Sequence, residues 1–145
     1  MSLEGFYEWQ AQPADFHRTV PYYITVADQP IFALAGLWEV SYRDDGTAVE
    51  SFTVITMPAN ALMAEIHNSK KRGGKRVLLA PDARRMPAIL TKEDQGIWLH
   101  GSMDDAFAAL KQYPPDLMLA IPVSSRVNAV RQNEPELIQS VDIAP

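Results

Sequence analysis

A glutamate inside an aromatic segment is the first candidate for acid/base chemistry in this sequence. Glu8 lies between Tyr7 and Trp9, and the period-2 alternation of a strand puts Glu8 on the same face as Phe6. A carboxyl group on a buried face can serve as a general acid or base near neutral pH. The alternative is a half-exposed strand glutamate that points to water. We therefore treat Glu8 as a candidate catalytic residue.

A histidine at the end of a predicted helix is the second candidate for proton transfer. The helix is predicted over residues 58–67, and the dipole at its carboxyl end favours a cationic imidazole at His67, which is a purely structural explanation. The functional alternative is a proton donor or acceptor beside an anionic ligand, because a strongly basic segment follows. His17 and His100 have no carboxylate or histidine at metal-ligand spacing, so we interpret both as surface residues.

Positive charge is concentrated in one segment, residues 70–85, which we call the basic strip. The whole chain has a formal net charge of -5, which taken alone argues against a polyanion partner. The strip carries +6, with Asp82 as its one acidic residue, and it is either a solvated loop or a binding edge for nucleic acid phosphates. Its basic residues are Lys70, Lys71, Arg72, Lys75, Arg76, Arg84 and Arg85.

The composition excludes several classes of protein and of chemistry. With 145 residues, 47% of them hydrophobic and 21% charged, the chain can build one ordinary core, which excludes disordered, collagen-like and coiled-coil chains. The absence of cysteine excludes disulfides, zinc–thiolate sites and thiol nucleophiles. No metal-binding motif, phosphate loop, nucleophile-elbow serine motif or dinucleotide fingerprint is present. We therefore predict neither a metal nor a cofactor.

Nothing in the sequence predicts a membrane partner. The uninterrupted apolar runs reach about eight residues, whereas about 20 are needed to span a bilayer. The first residues lack the basic and apolar regions of a signal peptide. We expect a cytoplasmic protein, associated with the nucleoid when it is bound to DNA.

The elements that must position these side chains are mostly short strands. Aromatic and β-branched runs predict strands at residues 6–9, 22–26, 31–38 and 51–56, and a buried strand at 117–123 that ends or runs along an edge at Pro122. Asp45 and Gly46 predict a hairpin turn, with a longer loop as the alternative. Gly73 and Gly74 predict a flexible loop tip within the basic strip.

Helices are predicted where the hydrophobic period changes. Pro58 is placed to open the helix at 58–67, and two capping boxes predict helices at 92–99 and 103–111. Pro135–Ile138 forms at most one helical turn. The predicted fold class is α+β, with a mostly antiparallel, open barrel-like sheet and flanking short helices, in a single domain over residues 1–145.

Several short motifs resemble, in order and mostly in spacing, the SOS response-associated peptidase (SRAP) family. The likeness spans almost the entire chain, and the ordered set is more specific than any one motif. The motifs are GFYEW at 5–9, AGLWE at 35–39, FTVIT at 52–56, AN at 59–60, IH at 66–67, RMPAIL at 85–90, PVS at 122–124, VN at 127–128 and EPELI at 134–138.

This resemblance implies a DNA repair protein that binds single-stranded DNA and couples covalently to the aldehyde of an abasic site. In the family an amino-terminal cysteine closes a thiazolidine ring on the sugar. The motifs carry the family's acid/base residues onto Glu8 and His67, and its phosphate-binding arginine onto Arg85, with Thr56 as a weaker candidate for the same contact. The remaining predicted DNA-binding residues are Lys70, Lys71, Arg72, Lys75 and Arg76.

Two departures from the family pattern limit what this chain is expected to do. The family's amino-terminal part, with its cysteine and an active-site asparagine, precedes the GFYEW motif, so we expect an amino-terminally truncated SRAP-like domain. Ser2 does not occupy the nucleophile's place. In addition, residues 68–84 separate His67 from Arg85, where the family has only a few residues. This insertion either extends the DNA groove or is a lineage-specific loop.

Three functions therefore remain open at this point. The first is a DNA repair protein that processes abasic sites through a covalent DNA–protein crosslink, with the nucleophilic cysteine missing here. The second is a single-stranded DNA-binding module without covalent chemistry, and the third is a peptidase. The expected partner is single-stranded DNA with abasic sites, and the sequence predicts no oligomeric state.

Overall fold

Antiparallel strands and three short helices make up the computed structural model, which describes residues 1–27 and 29–143. The strands are β1 Ser2–Leu3, β2 Phe6–Ala11, β3 Thr19–Val26, β4 Phe32–Leu34, β5 Gly36–Tyr42, β6 Ala48–Val54, β7 Thr56–Pro58, β8 Ser69–Arg72, β9 Lys75–Leu78, β10 Arg85–Pro87, β11 Ile89–Leu90 and β12 Met118–Pro122. The helices are α1 Ala61–Ile66, α2 Lys92–His100 and α3 Met103–Ala108, with 3-10 turns at Pro81–Ala83, Pro115–Leu117, Ser125–Asn128 and Pro135–Ile138.

In residues 1–27 and 29–143 the strands pair in five small sheets, and every strand pair there is antiparallel. The sheets have the orders β1-β4-β11, β10-β7, β12-β3-β2, β5-β6 and β8-β9. This confirms the predicted α+β class, and within the described part of the chain no closed barrel forms. Pro122 ends the edge strand β12, as its missing N–H predicts.

The core lies between the β2-β3-β12 sheet, the β1-β4-β11 sheet and α1. Phe32, Ile24 and Met63 are fully buried there, and the ring of Phe6 packs edge-on against Phe32 with centroids 6.4 Å apart. Because side chains alternate along a strand, the side chain of Glu8 lies on the same face of β2 as that of Phe6, which packs into this core.

Two predicted strands are each divided in two by a set of backbone hydrogen bonds. Ala35 N donates to Ala88 O, Ala88 N donates to Ile55 O, and Ile55 N donates to Ala35 O, all at 2.9–3.0 Å. The run at 31–38 therefore splits at Ala35, and the run at 51–56 splits at Ile55. Each of these two runs changes its partner strand at this point. The prediction of a continuous strand is therefore wrong for both runs.

The first helix begins later than predicted. Pro58 does not open it but ends β7, where it pairs with Arg85 of β10. Asn60 is the N-cap, because its side chain accepts a hydrogen bond from the N–H of Met63 at 2.9 Å. The two predicted caps, Thr91 and Ser102, do begin α2 and α3, although α3 ends at Ala108 rather than at residue 111.

The first part of the basic strip forms a hairpin. Strands β8 and β9, which we call the basic hairpin, pair from Ser69 with Leu78 to Arg72 with Lys75. Gly73 and Gly74 form the two-residue turn with φ of +57° and +79°. Positive φ at both turn positions matches the right-handed twist of the flanking strands. The two glycines therefore form the tip that the sequence predicted, at the end of a paired hairpin.

The turn predicted at Asp45 and Gly46 connects β5 and β6. Tyr42 pairs with Ala48, and Gly46 N donates to Arg43 O at 2.9 Å, so the predicted hairpin turn is confirmed and a longer loop over residues 41–50 does not form. Gly46 takes a φ of +81° in this loop.

Among the described residues, no helix is long and apolar enough to cross a membrane.

Candidate functional site

Glu8 and His67 line one open cleft of about 550 Å³. The two residues come from different elements, β2 and the end of α1, which pack against each other. Both side chains are half-buried. The complete lining of the cleft is Glu8, Trp9, Thr19, His67, Ser69, Lys71, Arg76 and Asn128.

Two short hydrogen bonds hold the β2 side of the cleft. Glu8 Oε1 accepts a hydrogen bond from the backbone N–H of Trp9 at 2.9 Å. The indole Nε1 of Trp9 donates to Oδ1 of Asn128 at 2.8 Å and thereby attaches the 3-10 turn Ser125–Asn128 to the cleft wall. The second oxygen of the Glu8 carboxyl group has no protein donor among the described residues. It is therefore available as an acceptor in the cleft.

His67 is held by its backbone and by one ring nitrogen. Its N–H donates to Met63 O at 2.8 Å, which closes the last turn of α1. Its ring Nδ1 accepts a hydrogen bond from the backbone N–H of Arg85 at 2.9 Å. A ring nitrogen that accepts a hydrogen bond carries no proton, so the neutral imidazole bears its proton on Nε2. His67 can therefore donate a hydrogen bond through Nε2.

A bridging asparagine fixes the basic hairpin beside β2. Oδ1 of Asn68 accepts from Ala11 N at 2.8 Å, and Nδ2 of Asn68 donates to Ala11 O at 2.9 Å. The backbone O of Asn68 accepts from Leu79 N at 2.8 Å, which closes the base of the hairpin. The side chain of Asn68 thus takes the place of a neighbouring strand and continues the ladder of β2 into the insertion.

Strand alternation divides the predicted DNA-binding cations between two faces of the basic hairpin. Lys71 and Arg76 are directly opposite each other, and both line the cleft. The guanidinium of Arg76 also donates to Ser69 Oγ at 2.9 Å. The other three cations alternate onto the opposite face, are exposed and do not line the cleft; they are Lys70, Arg72 and Lys75.

The cations of the basic hairpin have no acidic partner in the described part of the chain. The salt bridges there join Lys111 to Asp94 at 3.9 Å and Arg126 to Glu134 at 3.3 Å. Like charges directly opposite each other on antiparallel strands are destabilising, as Lys71 and Arg76 are here. A bound anion between them would relieve this repulsion.

Arg85 and Thr56 contact each other and do not line the cleft. Nη2 of Arg85 donates to the backbone O of Thr56 at 2.5 Å and lies 3.5 Å from its Oγ1. Arg85 is connected to His67 through its backbone N–H only. Arg84, counted with the basic strip in the sequence, instead donates to the carbonyls of Ala64 and Leu79 at 2.7–3.3 Å and is a structural residue.

Comparison with known proteins assigns the chain to a family. The family model for "SOS response associated peptidase (SRAP)" matches residues 1–130. The chain belongs to the SRAP family. It is similar to "Abasic site processing protein YoqW" of Bacillus subtilis (strain 168), with 34% identity over 140 residues that cover 94% of this chain and 54% of YoqW. It is also 31% identical over 161 residues to "Abasic site processing protein HMCES" of Xenopus tropicalis, covering 95% of this chain and 42% of HMCES.

Solved structures resemble this SRAP chain as well. A crystal structure of a protein from Bacteroides thetaiotaomicron matches 97% of this chain and 55% of its own, with a TM-score of 0.80 and 30% identity. A protein from Bordetella bronchiseptica matches 86% of this chain and 53% of its own, with a TM-score of 0.67 and 27% identity. This chain therefore spans about half the length of the relatives that it matches.

Several cleft residues of this SRAP chain were not predicted from the sequence. Trp9, Thr19, Ser69 and Asn128 line the cleft beside the predicted pair. Asn128 stood within the family motif VN, and this was the only signal that could have identified it. No group of three or more histidine, aspartate or glutamate side chains in the described residues could hold a metal ion.

A second surface of the SRAP chain is apolar and exposed. Trp38 of β5 and Phe52 of β6 are 73% and 71% exposed, and Phe107 of α3 is 64% exposed. A groove of about 620 Å³ runs between β5 and the two helices, with Trp98 and Leu99 along its wall. Neighbouring exposed apolar side chains that line a groove are typical of a binding surface.

Proposed function

We propose that this chain binds single-stranded DNA at an abasic site in the cleft, with Glu8 and His67 as the acid/base groups. The observation that carries the proposal is that both residues line one cleft with Lys71 and Arg76. The relatives with the name "Abasic site processing protein" support the choice of ligand. The cleft is positive on one wall and has a carboxylate and an imidazole on the others.

The cations of the basic hairpin would bind the phosphates of the DNA backbone. Lys71 and Arg76 stand opposite each other without an acidic partner in the described residues, which favours a phosphate between them. The DNA would leave the cleft over a second set of contacts. These contacts are the exposed cations on the other face of the hairpin, and Arg85 with Thr56. We include Lys70, Arg72 and Lys75 among these outer contacts.

Glu8 and His67 account for proton transfer at the sugar. His67 carries a donor at Nε2, and the carboxyl group of Glu8 offers a free acceptor oxygen. A donor and an acceptor on opposite sides of one aldehyde can move protons during additions to its carbonyl carbon. The covalent crosslink through cysteine is not available, because the chain has no cysteine. We therefore propose that this chain forms no thiazolidine and no heat-stable adduct.

A single-stranded DNA-binding module without covalent chemistry is the second candidate, and the missing cysteine favours it. The two functions share the cleft and differ in what happens to the aldehyde. A peptidase, the third function considered from the sequence, remains an expectation from the family name alone.

Fluorescence anisotropy tests the proposed binding. The labelled probe is a single-stranded oligonucleotide with one abasic site, and the control is the same oligonucleotide with an intact base. We expect binding of the abasic probe that weakens steeply between about 50 and 200 mM salt, because phosphate contacts release counterions. Binding that does not change with salt, or that is absent for the abasic probe, would contradict the proposal. A denaturing gel should show no heat-stable shifted band.

A further inference from the structure

We infer that Lys71 is a nucleophile, and that its side-chain nitrogen forms a reversible imine with the aldehyde of the abasic site. The inference rests on the proposed function for its substrate. The proposed reaction is covalent, requires no cysteine and is assigned to one residue. The product is an imine, which water can hydrolyse, and not a stable ring.

The position of Lys71 is the first argument. The chain has five lysines, and Lys71 alone lines the cleft with Glu8 and His67. Lys70 and Lys75 lie on the opposite face of the basic hairpin because strand side chains alternate. Lys111 is paired with Asp94. Lys92 begins α2 and does not line the cleft.

The chemistry of the cleft is the second argument. An amine that attacks a carbonyl carbon needs a base for its own proton and a donor for the carbonyl oxygen. Glu8 supplies an acceptor oxygen, and His67 supplies a donor at Nε2. Arg76 lies opposite Lys71 and can hold the phosphate next to the sugar.

The step is balanced without a redox partner. The Lys71 ammonium gives one proton to Glu8, its nitrogen forms a bond to the aldehyde carbon, and a second proton moves to the carbonyl oxygen. Glu8 returns the first proton as the C–O bond breaks and water leaves. One ammonium and one aldehyde give one cationic imine and one water. The Nε2–H of His67 stabilises the oxygen while it carries negative charge.

Borohydride trapping tests the inference on the full chain. The protein is incubated with the abasic oligonucleotide and sodium borohydride, and the mixture is run on a denaturing gel. Lys71→Arg keeps the positive charge but has no primary amine, and Lys92→Arg, outside the cleft and the basic hairpin, is the matched control. A tetrahydrofuran analogue of the abasic site, which has no aldehyde, measures binding by anisotropy without any imine.

We expect a trapped adduct for the wild-type chain and for Lys92→Arg, and its loss for Lys71→Arg. Each protein is used at a concentration that saturates the tetrahydrofuran probe, so that a change in affinity does not account for the loss of trapping. Mass spectrometry of the trapped peptide should place the modification on Lys71. Trapping that persists in Lys71→Arg, or a modified Met1 amine, overturns the inference. Binding without any trapping also overturns it and leaves the proposed function intact, whereas absence of binding overturns both.

Discussion

The backbone N–H of Arg85 donates to Nδ1 of His67 at 2.9 Å, across a gap of 18 positions in the sequence. This bond sets the tautomer of the neutral imidazole and connects the RMP strand β10 to the cleft. The 17 residues between the two positions form the basic hairpin and a 3-10 turn, so the insertion leaves the contact in place. One backbone group thus orients the side chain that we propose as the donor in the cleft.

Replacing His67 by Ala should slow imine formation more than it weakens DNA binding. General acid/base assistance is typically worth about 10² to 10⁴ in rate. We expect a decrease of that order in the initial rate of borohydride-trapped adduct, with the final yield little changed. His100→Ala, at the end of α2, is the matched control. Equal rates in both variants would exclude His67 from proton transfer.

Charge removal on the two faces of the basic hairpin should have unequal effects. The double variants Lys71→Ala with Arg76→Ala, and Lys70→Ala with Lys75→Ala, each remove two positive charges. Only the first pair lines the cleft. We expect the first variant to lose more affinity and to flatten the salt dependence by about 0.7 in log–log slope for each lost phosphate contact. Equal losses would indicate a diffuse field and no defined path for the strand.

Asn60→Ala should destabilise the fold through two lost contacts. Its side chain caps α1 and donates to Tyr113 O at 2.7 Å in a buried position. We expect the free energy of unfolding to fall by about 1–3 kcal/mol, measured by denaturant titration. Ser102→Ala, an exposed cap on α3, should cost about 1 kcal/mol or less. An Asn60→Ala cost no larger than the Ser102→Ala cost would argue against the buried contact.

The tyrosines predict a loss of stability at alkaline pH. Burial raises the pKa of Tyr22 above its ordinary 10.0, and burial followed by the charges of Glu4 and Tyr7 raises the pKa of Tyr23. Below pH 10 these groups are neutral in both states, so they leave the free energy of unfolding unchanged. Above pH 10 the unfolded chain ionises first and unfolding becomes more favourable. Tyr22→Phe should reduce this alkaline slope in denaturant titrations, and an unchanged slope would contradict the assignment.

The apolar groove should bind a hydrophobic dye. We expect the chain to enhance the fluorescence of anilinonaphthalene sulfonate in its folded state, because Trp38 and Phe107 are largely exposed. Trp38→Ser with Phe107→Ser should abolish most of this signal. Val130→Ser, a fully exposed apolar residue that does not line the groove, should leave it unchanged. A signal retained by the double variant would place the dye elsewhere.

Local patterns predicted many elements correctly, and long-range bonds account for the errors. Thr91 and Ser102 begin helices because a cap depends on residues only three positions away. Ala35 divides a predicted strand because its bonding partners are Ile55 and Ala88, which no local pattern specifies. Pro58 joins a strand instead of opening a helix because Arg85 pairs with it.

Residue types and short motifs were enough to exclude a thiol nucleophile in this chain. They also singled out Glu8 and His67 for proton transfer and a concentration of cations for phosphate binding. The folded structure was needed to show that Lys71 and Arg76 line the cleft with Glu8 and His67, whereas Lys70, Arg72 and Lys75 do not. The cleft is built from contacts between distant residues, such as Ala11 with Asn68, 57 positions apart, and Trp9 with Asn128, 119 positions apart. Such contacts depend on how the sheets and α1 pack together, and spacing along the chain does not encode them.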